Sequence, residues 1–253
     1  MSEKHIMNAK ILTKYLKQTV ATAESVHQEA VVEFSPEGLE IRIDDPAGTA
    51  YAFIEIDINA FDNFEASEGS FGIDIPDLSK SLKYIDDDDI TELNLTDDRS
   101  SLIIHGSGQK STLKPIATQH VECDIPELDV NYSAEVTVPG SEFTQAIKAA
   151  NEFSDQLIFY IQEDKAELRL RGEGDLNETE RVLGDDLLED IQVGPAYNVY
   201  SLDYLTSLAN AIEDDVLVHL KLAEEERPME ISFEITGGDG SVEYVLAPYI
   251  GSD

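Results

Sequence analysis

The 253-residue chain holds 53 carboxylates, so close acid pairs occur throughout it and pairing alone identifies no general acid or base. The run Asp86 to Asp89 offers four consecutive oxygen donors. It lacks the central glycine and terminal glutamate of a calcium loop and reads as an acidic turn. Gly106 and Gly108, with Lys110 nearby, fall short of the full phosphate-loop spacing and read as a glycine turn. His120 and Cys123 are a base and a nucleophile in principle, but no orienting acid or oxyanion donor can be placed around them. The single cysteine excludes an internal disulfide, and no Cys/His spacing points to zinc. Asn94, Asn131 and Asn177 head glycosylation sequons that matter only in a secreted chain. No catalytic residue, metal or cofactor is expected.

The scarce cations carry more information. With 17 basic residues the net charge is −36, and only six of the 17 are arginine. Apolar spacing predicts four helices, over 8–22, 76–86, 139–153 and 201–212. These hold five acids and six lysines: Lys10, Lys14, Lys17, Lys80, Lys83 and Lys148. Lys10, Lys14 and Lys17 would form a stripe opposite the apolar face of the first helix, and Lys80 and Lys83 would share a face of the second. A solvated helix in so acidic a protein should carry Asp and Glu. These faces are kept nearly clear of them, as a surface facing a polyanion would require.

The elements that position those helices occur twice. Ile11, Leu12, Tyr15, Leu16, Thr19 and Val20 recur at helical spacing, followed by alternation through Val32, Phe34, Leu39, Ile41 and Ile43. Phe143, Ile147 and Phe153, then Ile158, Tyr160, Leu168 and Leu170, repeat the pattern. Matching Leu12 and Leu16 to Phe143 and Ile147 gives an offset of 131, whereas the Glu-x-Arg pairs at 40–42 and 167–169 give 127. Further alternating runs at 51–58, 101–105, 111–116, 229–235 and 241–246 read as half-buried antiparallel strands. The expected class is α+β: two similar domains, 1–117 and 133–253, each of antiparallel sheet with two helices. A connector without clear period, 118–132, joins them.

Hydrophobic residues make up 42 % of the chain, too many for a disordered polyanion. No run is long and apolar enough for a membrane span, and the N-terminal stretch has no apolar signal core, so a cytoplasmic location is expected. Charge of this size repels nucleic acid and anionic membranes in ordinary buffer. At molar salt, where the Debye length is about 3 Å, it becomes tolerable, so the composition reads as salt adaptation. An ordinary acidic protein is the alternative.

In order along the chain, GLEIRIDDPAGTAYAFIEIDINAF (38–61), FGIDIPDLSKSLKYI (71–85), VPGSEF (138–143) and VLAPYI (245–250) resemble the sliding clamps of the proliferating cell nuclear antigen (PCNA) type, archaeal branch. The resemblance covers essentially the whole chain. It implies a DNA-clamp fold and a homotrimeric ring of pseudo-six-fold symmetry, with twelve helices around duplex DNA held without sequence preference. The ring would serve as a polymerase processivity factor. Through short peptide motifs it would tether polymerase, clamp loader, ligase and nucleases, acting by avidity and not by chemistry.

By that resemblance Lys10, Lys14, Lys17, Lys80, Lys83 and Lys148 face DNA, while Asp203, Thr206 and Asn210 of the fourth helix depart from the family's basic positions. The partner-motif groove would comprise Ile43, Ile125, Leu128, Pro228, Met229, Ala247, Pro248 and Ile250. The stretch 44–48 departs from the family there and would leave a shallower pocket. The subunit contact would join 109–116 to 176–183, with Lys110 and Lys114 opposite Glu178 and Glu180 and with Leu113, Ile116, Val182 and Leu183 as its apolar part. Two other readings remain open: a protein-only scaffold of the same fold, and an acidic α+β enzyme.

Overall fold

The computed structural model describes residues 5–121, 123, 130–162, 165–174, 176–184, 186–224 and 226–250. The first half runs β1 (His5–Leu12), α1 (Thr13–Glu24), β2 (Glu29–Ser35), β3 (Gly38–Asp44), β4 (Ala50–Asp57), β5 (Phe61–Ala66), β6 (Gly69–Asp74), α2 (Ile75–Leu82), β7 (Ile90–Thr96), β8 (Leu102–Gly106) and β9 (Gln109–Leu113). The second runs β10 (Ala134–Pro139), α3 (Gly140–Asn151), β11 (Gln156–Ile161), β12 (Leu168–Glu173), β13 (Glu178–Leu183), β14 (Asp190–Gln192), β15 (Ala196–Ser201), α4 (Leu202–Ala209), β16 (Leu217–Leu222), β17 (Met229–Ile235) and β18 (Gly240–Leu246). Strand, helix, five strands, helix, three strands is the order in each.

The repeat has an offset of 127, not 131, because the two helix pairs start at Thr13 and Gly140 and at Ile75 and Leu202. Leu16 therefore corresponds to Phe143 and Val20 to Ile147. The agreement extends to single backbone bonds. Thr13 and Lys14 donate to the carbonyls of Asp89 and Asp87 at 2.8 and 3.1 Å, and Gly140 and Ser141 donate to those of Val216 and Asp214 at 2.7 and 3.1 Å. Neither α1 nor α3 has a side-chain cap. In each, the turn after the second helix satisfies N–H groups that a helix start leaves open. A side chain at Gly140 would place Cβ 2.2 Å from the Glu213 carbonyl oxygen, so the α3 turn approaches more closely than one bearing a β-carbon permits.

The first helix begins at Thr13, not at residue 8. Met7, Ala9 and Ile11 are buried and alternate with more exposed neighbours, and β1 is paired on both sides, with β5 and β7. The period is two, and Ile11 and Leu12 mimic a helical spacing with Tyr15 and Leu16. The other helices are shorter than expected. In α2, Pro76 lies in the first turn and the Asp74 carboxylate accepts from the Asp77 N–H. Phe153 lies beyond α3 and is half exposed.

By internal packing the chain forms two units. One comprises Met1–Pro46, Ala52–Ile125 and Glu234–Val242, the other Ala47–Tyr51, Pro126–Phe233 and Glu243–Asp253. The first contains the antiparallel order β5-β1-β7-β8-β9 and the order β4-β3-β2-β6, with α1 packed on α2. Ile11, Ile54, Ile56, Ile75, Leu82 and Ile85 fill its core. The second contains β13-β12-β11-β15 and β14-β10-β16-β17, with α3 packed on α4. There Phe159 meets Tyr200 edge-on at 5.4 Å, and the Tyr200 hydroxyl donates to the Arg227 carbonyl at 3.1 Å. Each such buried side chain contributes roughly 1.5–3 kcal/mol. Among the described residues no helix is long and apolar enough to cross a membrane.

Candidate nucleic-acid interface and assembly edges

The six lysines divide by what their amines touch. Lys10 is on β1, on the face opposite Met7, Ala9 and Ile11, and its Nζ lies 4.0 Å from Glu92. It belongs to a polar network, not to a helical stripe. The Asn94 amide, then the Asn8 amide and Lys10, hold the Glu92 carboxyl below its ordinary range. Lys17 is on α1, but its amine donates to the Ile85 carbonyl at 2.8 Å and to Asp87 at 2.6 Å, tying the helix to the acidic turn. Lys14 is exposed on the same face of α1, over the Tyr15 ring. Lys80 is exposed on α2 and paired with Asp77 at 2.8 Å. Lys83 caps the end of α2 beside the exposed Tyr84 ring. Lys148 is exposed in the last turn of α3, where a cation also suits the helix dipole.

With these boundaries α1 gains Glu24, and the four helices carry four acids and four lysines in 40 residues. That is half the acid content of the chain as a whole. At the repeat positions of Lys14, Lys80 and Lys83 the second half has Ser141, Ser207 and Asn210, so the exposed cations are concentrated on the first-half helices.

The two expected contact segments are both edge strands. β9 pairs only with β8, and β13 only with β12, which leaves one side of each backbone open to pairing. Gln109 donates to the Ser81 carbonyl of α2, so Gln109, Ser111 and Leu113 face the helices while Lys110 and Thr112 point outward. Lys114, past the end of β9, is exposed. On β13, Glu178, Glu180 and Val182 are outward and Leu183 is fully buried. Leu183 is thus a core residue and not an edge contact. Ile116 is also occupied, since it exchanges two 2.8 Å backbone bonds with Gly72 of β6. A β-carbon at Gly72 would lie 3.0 Å from Ile116 Cβ, so glycine allows that bridge to close.

Of the expected groove residues, Ile125 and Leu128 lie outside the described residues. Ile43 and Met229 are fully buried and can support a surface without contributing to it. Pro228, Ala247 and Pro248 are half-buried and Ile250 is 71 % exposed. Backbone bonds from Ala247 to Thr49 (2.8 Å) and from Tyr249 to Val199 (2.7 Å) strap the C-terminal segment down, leaving the Tyr249 and Ile250 side chains outward.

Three features are not legible in the sequence. Arg181 grips Glu142 at the start of α3. Tyr132 stacks under Lys221, and burial, then the charge of Glu230 and neighbouring Tyr51, push its hydroxyl up to about 12. A cleft of about 740 Å³ in the first unit is lined by Glu33, Glu37, Glu40, Glu55 and Glu234 among others. None of the three follows from periodicity, because each joins residues far apart in the chain.

Residues 1–131 match the family model for the proliferating cell nuclear antigen, N-terminal domain. The chain is 30 % identical over 250 residues to the DNA polymerase sliding clamp of Methanosarcina barkeri, covering 98 % of this chain and 100 % of that protein. It is 33 % identical over 227 residues to that of Natronomonas pharaonis, covering 89 % and 91 %. Among solved structures, A. fulgidus PCNA, bound to the C-terminal region of FEN-1, superposes with a TM-score of 0.89 at 26 % identity, covering 98 % of this chain and 100 % of that one. With two helix-bearing sheet units, open edges at β9 and β13 and this likeness over nearly its full length, the chain belongs to the proliferating cell nuclear antigen family of DNA polymerase sliding clamps.

Proposed function

We propose that three copies pair β9 with β13 edge to edge and close into a ring whose helices surround duplex DNA. The observation that carries this reading is the location of the cations. A chain of net charge −36 keeps half its usual acid content off four helices and exposes Lys14, Lys80, Lys83 and Lys148 on them or at their ends. Contacts of lysine with phosphate hold DNA without reading bases, which sliding requires. Two domains, 1–117 and 133–253, form each third of the ring, and the connector 118–132 with the C-terminal segment takes up short peptide motifs of polymerase, clamp loader, ligase and nucleases. The family acts as a processivity factor, and we assign this chain no catalytic step.

The acidity fits a cytoplasm at molar salt, and relatives from salt-loving and from methanogenic archaea are both among the similar proteins. The test is substitution of Lys14, Lys80, Lys83 and Lys148 by Glu. Retention on closed circular DNA and polymerase stimulation should both be lost while the assembly stays intact. Unchanged retention would mean the helices do not face DNA and would favour a protein-only scaffold, the reading to which the poorly basic α4 also leans.

A further inference from the structure

We propose that the ion pair between Glu142 and Arg181 is a positioning device for subunit closure. It fastens the helix-facing side of β13 to the first turn of α3, so that the open backbone edge of β13 is presented to the β9 of a second copy at a fixed height. This inference rests on the ring reading above.

The geometry is specific. Arg181 pairs across strands with Leu170, a buried residue, and so projects toward the helices. Its Nε donates to Glu142 Oε2 at 3.1 Å, and Nη2 donates to the same oxygen. The two side chains are 30 % and 23 % exposed. The outward face of the same strand is organised differently. Arg169 of β12 bridges Glu167 and Glu180 there, and Arg171 pairs with Glu173. Arginine is rare in this chain, with six residues, and half of them lie on β12 and β13. Only Arg181 of these three turns inward.

The internal repeat isolates the pair from the needs of the fold. By the repeat offset, Glu142 and Arg181 correspond to Tyr15 and Ile54. The first half builds the same order of elements with an aromatic and an aliphatic residue at those positions. The architecture therefore does not require the charge pair, and its presence is peculiar to the half that supplies the β13 edge.

The physics favours this pair for the task. Exposed pairs such as Lys110 or Lys114 with Glu178 or Glu180 lose most of their attraction at molar salt, whereas a contact pair largely shielded from water is screened much less. A guanidinium holds a carboxylate through a planar fork and orients it, which a lysine does not. An edge strand has a partner on one side only and frays more readily than a central one. Of the helix-facing residues of β13, Thr179, Arg181 and Leu183, only Leu183 is fully buried. Loss of either charge would leave the other unpaired against the core and loosen the strand where the second copy must dock.

The test measures the dissociation of the assembly on dilution, by sedimentation in molar potassium chloride, for the native chain, R181M, E142Q and the exchange E142R/R181E. R181M and E142Q should each raise the midpoint concentration for dissociation by about tenfold. The exchange should recover most of that loss, which a role in packing alone would not produce. Unchanged midpoints for both single variants would overturn the proposal. So would a loss in R181M without one in E142Q, because Arg181 would then reach the second copy directly. Should R181M fail to fold, the near-isosteric E142Q and the exchange decide the matter. A native chain that is monomeric throughout would sink the ring reading itself; a native trimer with indifferent variants would sink this inference alone.

Discussion

Lys14 and Lys17 stand one turn apart on one helix face, yet their amines have different roles. Lys17 donates to a backbone carbonyl and to Asp87; Lys14 lies over the Tyr15 ring. K17M should therefore cost about 1 kcal/mol of stability in a denaturant melt, a figure lowered for its partial exposure, and should leave the salt dependence of DNA binding unchanged. K14M should do the reverse, leaving the melt alone and reducing the log–log salt slope by about 0.9. Helical spacing places both lysines on one face, but the acidic turn that captures Lys17 comes from beyond α2 and is invisible to any local pattern. Tyr132 provides a second test. Its folded value is pushed up to about 12 from an unfolded 10.0. Between those values the unfolded chain has lost the proton and the folded chain has kept it, so stability falls as pH rises through that window. Absorbance titration of the native chain against Y132F should assign a late ionisation to Tyr132, and E230Q should bring it earlier by removing a neighbouring negative charge.

Strand and helix boundaries show where sequence periodicity serves and where it fails. Alternation identifies β2, β3, β4, β11 and β12 because each has one face buried, and the Glu-x-Arg match supplies the repeat of 127 that the helix starts share. The spacing misplaces the start of α1 because Ile11 and Leu12 satisfy both periods, and only pairing of β1 with β5 and β7 decides between them. Short β14, with three residues, carries too little pattern to be read at all. Family resemblance points to the edges at β9 and β13; it does not reveal the bonding of Ile116 to Gly72 or the burial of Leu183, since both depend on neighbours remote in sequence. Among the contact residues Leu113 and Val182 are partly exposed on the open strands. Replacing both by Glu should weaken association strongly while the far-ultraviolet circular dichroism stays native. An unaffected assembly would remove these strands from the contact.

For the assembled protein, charge and topology act together. A net −36 per chain opposes the approach of three copies, and the opposition ends where the Debye length falls from about 10 Å at 0.1 M to about 3 Å at 1 M salt. Hydrophobic contact and backbone pairing at the edges then hold the ring, and loose lysine contacts inside it permit movement along DNA. The decisive measurement is the mass in solution by light scattering, in molar potassium chloride and again at low salt. Three times the 28.0 kDa of one chain is predicted at high salt, with dissociation or unfolding at low salt. A mass near 28.0 kDa under both conditions would leave the fold intact but contradict the ring and the sliding mechanism built on it.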